Sequence, residues 1–218
     1  MHKYTTASPP VVSRNGAGCY IDPAICAQRS RLKGELLNID ESIKISCLDK
    51  LESVCQEWHP DAIFSFVDPG TNLSSYLTYA PKWHYKYSYF DQEESGDNDV
   101  IGPKVRKFLQ DARFLASAGA QRILFHCHAG VSRSTACAYI YLHQHCSNAD
   151  AGHPFENLMR ISRKPWPNLK ICELADSFLG ESGSMIRPLL EYREEHPSRI
   201  NVYRRLNRRR GLISPVPR

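Results

Sequence analysis

Four short segments of the chain have the hydrophobic pattern of β-strands. Apolar and polar residues alternate over residues 43–47, which is typical of a strand at an exposed edge, and tyrosines alternate with polar residues over 85–89. Residues 62–67 and 123–125 are apolar almost without interruption, as in buried strands. The turn residues Asp-Pro-Gly at 68–70 end the second strand.

Several longer segments repeat apolar residues at helical spacing. One begins at Leu51, where Asp49 and Glu52 resemble a capping box. In a later helix, Pro103 fits the first turn and Gly119 the end. Further helices are predicted around residues 136–142, 155–159, 171–179 and 185–190. Because strands alternate with helices early and helices dominate later, we predict an α/β fold with a central, mostly parallel sheet flanked by helices and extra C-terminal helices.

The length of 218 residues suits one domain with additions at its ends. Residues 1–38 show little periodicity and are predicted to form an irregular N-terminal arm, residues 39–197 the domain, and residues 198–218 a basic C-terminal helix or tail. No apolar run approaches the ~18 residues of a membrane helix, and the N-terminus lacks the apolar core of a signal peptide. With its scattered cysteines, the chain is expected in the reducing cytoplasm.

The net charge of +5 is unevenly distributed along the chain. The last twenty residues contain seven arginines and no acidic residue. A solvated terminal helix is the preferred interpretation of this segment. The alternative is that it binds an anionic partner, such as a lipid headgroup, a nucleic acid or an acidic protein surface.

The turn between the apolar strand at 123–125 and the apolar helix after it carries the candidate chemistry. It places Arg133 six positions after Cys127, with Gly130 between them. Backbone amides converge in such a turn at the positive end of the helix dipole, which favours an oxyanion. Arg133 adds a planar fork that fits phosphate oxygens, and Gly130 lets the backbone approach them. A cysteine at the floor of this positive site is expected to be a thiolate, so the residues predict a nucleophile beneath a phosphate.

The stretch His126-Cys127-x5-Arg133-Ser134 resembles the signature of the cysteine-dependent protein tyrosine phosphatases, and the small dual-specificity-like branch in particular. The resemblance implies a phosphotyrosine-phosphatase-like fold and hydrolysis through a phosphocysteine intermediate, without metal or cofactor. It implies that His126 shapes the loop and that the Ser134 hydroxyl helps the thiolate leave, although Ser134 would also suit a helix cap. The residues that would bind the phosphate are His128, Ala129, Gly130, Val131, Ser132 and Arg133. For His128, plain solvent exposure is an equally good interpretation.

The resemblance also implies a general acid in the loop after the third strand, and Asp91 occupies that place. Asp97 and Asp99 share this acidic loop, although Asp99 is expected to cap the next helix. Asp68 is interpreted as a turn residue before Pro69.

A second element of the family lies farther along the chain. Arg160, Arg163, Pro167 and Asn168 resemble an arginine-then-Pro-Asn element that braces the phosphate loop from behind. An ordinary turn at a helix break explains these residues equally well.

Other functions remain alternatives. A zinc site is disfavoured, because the two groups of histidines and cysteines, at 126–128 and 143–146, lie about 20 Å apart along one predicted helix. A non-catalytic phosphate-binding module would be expected to lack Cys127, Arg133 or a usable acid. A phosphoinositide or RNA 5′-phosphatase would use the same site, but related enzymes of those kinds tend to carry basic residues in the loop. The neutral loop favours phosphotyrosine in proteins, with phosphoserine and phosphothreonine as further substrates.

Overall fold

A parallel β-sheet forms the centre of the structure, a computed structural model in which residues 39–93, 98–145 and 153–209 are described. Its strands are β1 (Ile43–Cys47), β2 (Ala62–Val67), β3 (Trp83–Ser88) and β4 (Ile123–Cys127), arranged in the order β1-β4-β2-β3. Every pairing is parallel. The predicted α/β fold is confirmed, and β1 lies at an edge as its alternating pattern predicted. The arm predicted for residues 1–38 lies outside the described residues.

Helices cover both faces of this sheet. On one face, Phe64 and Phe125 pack with Phe108 in the larger buried cluster, and on the other face Ile63 and Leu124 belong to a second cluster that includes the helix after β1. The helices are α1 (Ile39–Ser42), α2 (Leu51–Trp58), α3 (Asn98–Ser117), α4 (Arg133–His145), α5 (Pro154–Ile161), α6 (Leu169–Leu179), α7 (Arg187–Glu195) and α8 (Arg199–Arg209). Helices α7 and α8 are the predicted extra C-terminal helices. Within the described ranges, none of the helices has the length and apolarity that crossing a membrane requires.

Two local predictions were wrong. Helix α3 begins at Asn98, so Pro103 lies inside the helix rather than in its first turn, and it removes one backbone donor there. Asp49 does not cap α2, because it belongs to a short 3₁₀ turn that precedes the helix. The carboxylate of Glu52 instead accepts hydrogen bonds from the amide and hydroxyl of Thr78, at 2.7 Å and 2.6 Å. Glu52 therefore anchors a distant loop.

Candidate active site

The predicted site residues meet at the carboxyl edge of the sheet. Cys127 is the last residue of β4, and α4 begins six residues later at Arg133. Asp68 directly follows β2, and Asp91 comes three residues after the end of β3. Parallel strands end at the same edge, so three separate segments deliver side chains to one place.

Cys127 lies at the bottom of this site, and only 1% of the residue is exposed. The amide of Gly130 donates a hydrogen bond to its sulfur at 3.2 Å. The hydroxyl of Ser134 lies 3.2 Å from the same sulfur, within hydrogen-bond distance. Ser134 thus contacts the candidate nucleophile, which is the contact that its implied role requires.

The loop between Cys127 and α4 is anchored through its carbonyl groups. The carbonyl of His128 accepts a hydrogen bond from Leu48 N at 3.1 Å, and that of Val131 accepts one from Trp166 N at 3.0 Å. The carbonyl of Ser132 accepts from Asn168 N at 3.3 Å. The segment that contains Asn168 therefore lies against the loop, where the resemblance would place a brace.

The structure gives a reason of its own for glycine at position 130. Its φ of +70° is in the region that favours glycine. A Cβ atom at this position would lie 2.8 Å from the carbonyl oxygen of Ser46, at the end of β1. The absent side chain thus allows the loop to approach the neighbouring strand.

The guanidinium of Arg133 is almost fully buried, with 2% of the residue exposed. Its Nη1 donates to the carbonyl of Tyr89 at 2.6 Å and lies 2.8 Å from a carboxylate oxygen of Asp68. Burial alone would lower the pKa of Arg133, but electrostatic interactions with Asp91, Cys127 and Asp68 outweigh burial and raise it. The arginine therefore remains a cation in this site.

One donor of the same guanidinium is left over. Nε of Arg133 is buried and, among the described residues, has no hydrogen-bond partner. The carboxylate of Asp91 lies 3.8 Å from Nε, which is beyond hydrogen-bond distance. A buried donor without a partner costs free energy unless a ligand satisfies it, so this N–H favours binding of an anion.

Asp68 is the site residue that sequence reasoning missed. Its carbonyl does accept the turn hydrogen bond from Thr71 N at 3.1 Å, as the turn interpretation expects. Its carboxylate, however, forms the ion pair with Arg133, and its amide donates to His128 Nε2 at 3.1 Å. The position of Asp68 after a buried strand was the available signal, because the ends of parallel strands share one edge of the sheet.

Asp91 is brought beside the loop by two hydrogen bonds. Its Oδ1 accepts from the hydroxyl of Ser132 and from Nδ2 of Asn168, each at 2.8 Å. Asp99 is exposed and lies inside the first turn of α3, so it does not occupy the cap position predicted for it, whereas Asp97 lies outside the described residues. Of the two acids that can be placed, Asp91 is the one in contact with the loop.

His126 is fully buried on the opposite face of β4 from Cys127. Its Nε2 lies 2.6 Å from the hydroxyl of Ser65 on β2, which in turn lies 2.7 Å from Nε2 of His84 on β3. Burial, followed by the charge of His84, lowers the pKa of His126 to about 3. This histidine is therefore neutral at physiological pH and connects three strands beneath the loop.

The side chain of His128 does not stand free at the rim. Its Nε2 accepts the hydrogen bond from the amide of Asp68 and lies 3.4 Å from the hydroxyl of Thr71. His128 thus supports the turn that presents Asp68 to Arg133. Within the part of the chain that the structure describes, no group of three or more potential metal ligands forms a metal site.

Comparison with known proteins gives structural matches only. No family model matches the chain, and no curated protein matches it in sequence. Among solved structures, the PTP-2 phosphatase of Cydia pomonella matches with 18% identity and a TM-score of 0.50, over 65% of this chain and 88% of that chain. PTPMT1 matches with 18% identity and a TM-score of 0.44, over 66% and 92% of the two chains.

A further match is the human tyrosine phosphatase-like serine/threonine/tyrosine-interacting protein, with 14% identity and a TM-score of 0.48. It extends over 68% of this chain and 95% of that chain. At such low identities these likenesses concern the fold, and the chemistry has to be argued from the residues described above.

Proposed function

The chain has the fold of the cysteine-dependent protein tyrosine phosphatases, and on this premise we propose that it hydrolyses phosphate monoesters of proteins through a phosphocysteine intermediate. The proposal rests above all on one arrangement. The sulfur of Cys127 lies at one end of a short loop, and Nε of Arg133, which has no hydrogen-bond partner among the described residues, lies at the other end. A nucleophile and an orphaned cationic donor in one site match the needs of phosphoryl transfer.

The anchoring of the loop supports the same function. Three of its carbonyls bond to the surrounding segments, so these acceptors are turned away from an incoming anion. The amide of Gly130 points towards the sulfur, next to the N-terminus of α4. Amides and the helix dipole together favour the negative charge of a phosphate.

The proposed reaction has two displacements. In the first, the thiolate of Cys127 attacks phosphorus, the bond to the leaving oxygen breaks, and Asp91 gives that oxygen a proton. In the second, water attacks the phosphocysteine, Asp91 takes a proton from it, and the sulfur leaves as a thiolate. The Ser134 hydroxyl at 3.2 Å would donate to that departing sulfur. Arg133 holds the phosphoryl oxygens throughout.

For the substrate we propose phosphotyrosine in proteins, with phosphoserine and phosphothreonine as further substrates. The loop residues 128–132 carry no lysine or arginine, which fits a substrate whose only strong charge is one phosphate.

A phosphoinositide is the second candidate substrate, and the surface of α8 supports it. Val202 and Leu206 are exposed on this helix, with 56% and 39% exposure. They accompany four exposed arginines: Arg204, Arg205, Arg208 and Arg209. Apolar residues next to arginines on an exposed helix suit the surface of an anionic membrane.

The test is a turnover panel with purified protein. The substrates are a phosphotyrosine peptide, a phosphothreonine peptide, a phosphoinositide in vesicles and a 5′-phosphorylated RNA, with vanadate as inhibitor. We expect turnover of the phosphotyrosine peptide that Cys127→Ser abolishes and vanadate inhibits. The second candidate would be favoured if the protein hydrolyses the phosphoinositide faster than the peptides, and if replacing the arginines of α8 by glutamates removes this preference.

A matched cysteine variant serves as the control. Burial, with a smaller contribution from Glu52, raises the pKa of Cys55 to about 12, so its thiol is inert at neutral pH. We expect Cys55→Ala to retain turnover. If the wild-type protein hydrolyses none of the four substrates, or if Cys127→Ser retains full activity, the proposed function is wrong.

A further inference from the structure

The loop that carries Asp91 is held by a helix from the C-terminal end of the chain. Glu93, two residues after Asp91, accepts two hydrogen bonds from the guanidinium of Arg193 in α7, at 2.6 Å and 3.1 Å. Such a bidentate pair is among the strong arrangements of an arginine with a carboxylate. The two side chains are 23% and 19% exposed, so solvent and salt screen the pair only in part.

Both members of the pair are fixed by further contacts. The carboxylate of Glu93 also accepts from the amide of Leu169 at 3.0 Å, at the N-terminus of α6, where a negative charge is favoured. Arg193 donates to the carbonyl of Pro167 at 2.8 Å, and its guanidinium lies 4.9 Å from the centre of the Trp166 ring. The pair therefore joins the acid loop to residues 166–169 and to α7.

The same short segment contacts Asp91 itself. Nδ2 of Asn168 donates to Oδ1 of Asp91 at 2.8 Å and to the carbonyl of Gln92 at 3.3 Å. Asn168 lies between Pro167 and Leu169, the two residues whose backbone groups bond to Arg193 and Glu93. A shift of this segment would therefore move the candidate general acid.

We propose that Arg193 is a positioning residue for the general acid. Through Glu93 and residues 167–169 it holds the carboxylate of Asp91 where the leaving oxygen of the substrate needs a proton. This inference rests on the proposed phosphatase function and gives helix α7 a part in the reaction. The alternative is a purely structural role, in which the Glu93–Arg193 pair only stabilises the fold.

Leaving-group dependence separates these two interpretations. The phenolate of an activated aryl phosphate, whose phenol is strongly acidic, leaves without receiving a proton. The leaving oxygen of phenyl phosphate requires a proton from a general acid. Hydrolysis of the phosphocysteine is common to both substrates and enters kcat, whereas kcat/KM reports the first displacement alone. A misplaced acid should therefore lower kcat/KM only for the second substrate. We expect Arg193→Ala in the full chain to lower kcat/KM for phenyl phosphate by ~10- to 100-fold and kcat/KM for the activated phosphate by less than about threefold. Arg193→Lys keeps the charge without the fork and should give an intermediate loss.

Two controls complete the experiment. Arg187→Ala removes an exposed arginine from the same helix and should leave both rates at the wild-type level. In an Asp91→Ala background, Arg193→Ala should cause little further loss, because the acid it positions is gone. If Arg193→Ala fails to fold, Glu93→Gln, which keeps the shape and removes the charge, replaces it.

Three outcomes distinguish the inference from its premise. Equal losses on both substrates, or a full Arg193→Ala effect without Asp91, would show that the pair acts only on stability. Wild-type turnover together with unchanged rates in Arg193→Ala and Glu93→Gln would refute the positioning role alone. Absence of any wild-type turnover would refute the proposed function and this inference with it.

Discussion

The neutral, buried His126 predicts how the stability of the protein depends on pH. The pKa of its imidazole is lowered from 6.5 to about 3 in the folded protein, chiefly by burial. Above pH 6.5 the imidazole is neutral in both the folded and the unfolded chain, so its titration causes no pH dependence of stability there. Between 6.5 and about 3, the unfolded chain binds a proton that the folded protein does not. Stability is therefore lost as the pH falls below 6.5.

The size of this loss follows from linkage. Each pH unit in that window lowers the free energy of unfolding by about 1.36 kcal/mol. Between about pH 7.5 and about pH 5 the integrated loss is about 2 kcal/mol. Any folded-state pKa below about 4 gives nearly the same loss over this interval. The predicted loss therefore depends on the imidazole being buried and neutral, and not on the value of its folded-state pKa.

The assay compares urea unfolding of the wild-type protein and of His126→Gln at both pH values. Glutamine can keep a donor near the hydroxyl of Ser65 but does not titrate. Groups that do not interact with His126 titrate equally in both proteins, so their contributions cancel in the comparison. We expect wild-type stability to fall by about 2 kcal/mol more than that of the variant. Parallel pH dependence in the two proteins would show that His126 takes up a proton within the folded sheet.

Three further variants test the geometry of the site. Gly130→Ala should destabilise the protein by about 2–4 kcal/mol in urea titrations, whereas Gly70→Ala, with a similar φ but no atom near its Cβ, should cost only about 1–2 kcal/mol; equal costs would remove the argument from close approach. Asp91→Ala should lower turnover of poor leaving groups by ~10²–10⁴-fold while Asp99→Ala remains near wild type, and the reverse result would move the acid. Asp68→Asn should cost about 2–4 kcal/mol, and vanadate should raise its thermal midpoint more than that of the wild type, since the anion replaces the lost charge; an equal rise would contradict this.

Local patterns predicted much of the fold and the centre of the site. The alternation at 43–47 identified an edge strand, and the apolar runs identified β2 and β4. A strand buried on one face alternates apolar and polar residues, and a strand buried on both faces is apolar throughout, so these patterns report burial. The spacing of Cys127, Gly130 and Arg133 likewise lies within one turn, so a local pattern can identify it. These features depend on residues that are close together in sequence.

The features that were missed depend on contacts between distant segments. Asp68 meets Arg133 only because β2 and β4 are neighbours in the sheet, and strand order is not visible in the sequence. Glu52 was interpreted as part of a cap, but its partner Thr78 lies 26 residues away. The Glu93–Arg193 pair spans 100 residues. Such pairs follow from the assembled fold and not from any local periodicity.

The outward-bonded carbonyls of the loop have a thermodynamic consequence. Amides of Leu48, Trp166 and Asn168 fix the loop backbone when no anion is bound, so its ordering is complete once the domain has folded. Oxyanion binding should then lack the large unfavourable entropy of a loop that orders around its ligand, and calorimetry should show an entropy change dominated by released water. A synthetic peptide of the signature alone, without these three amides, should bind oxyanions far more weakly than the intact chain.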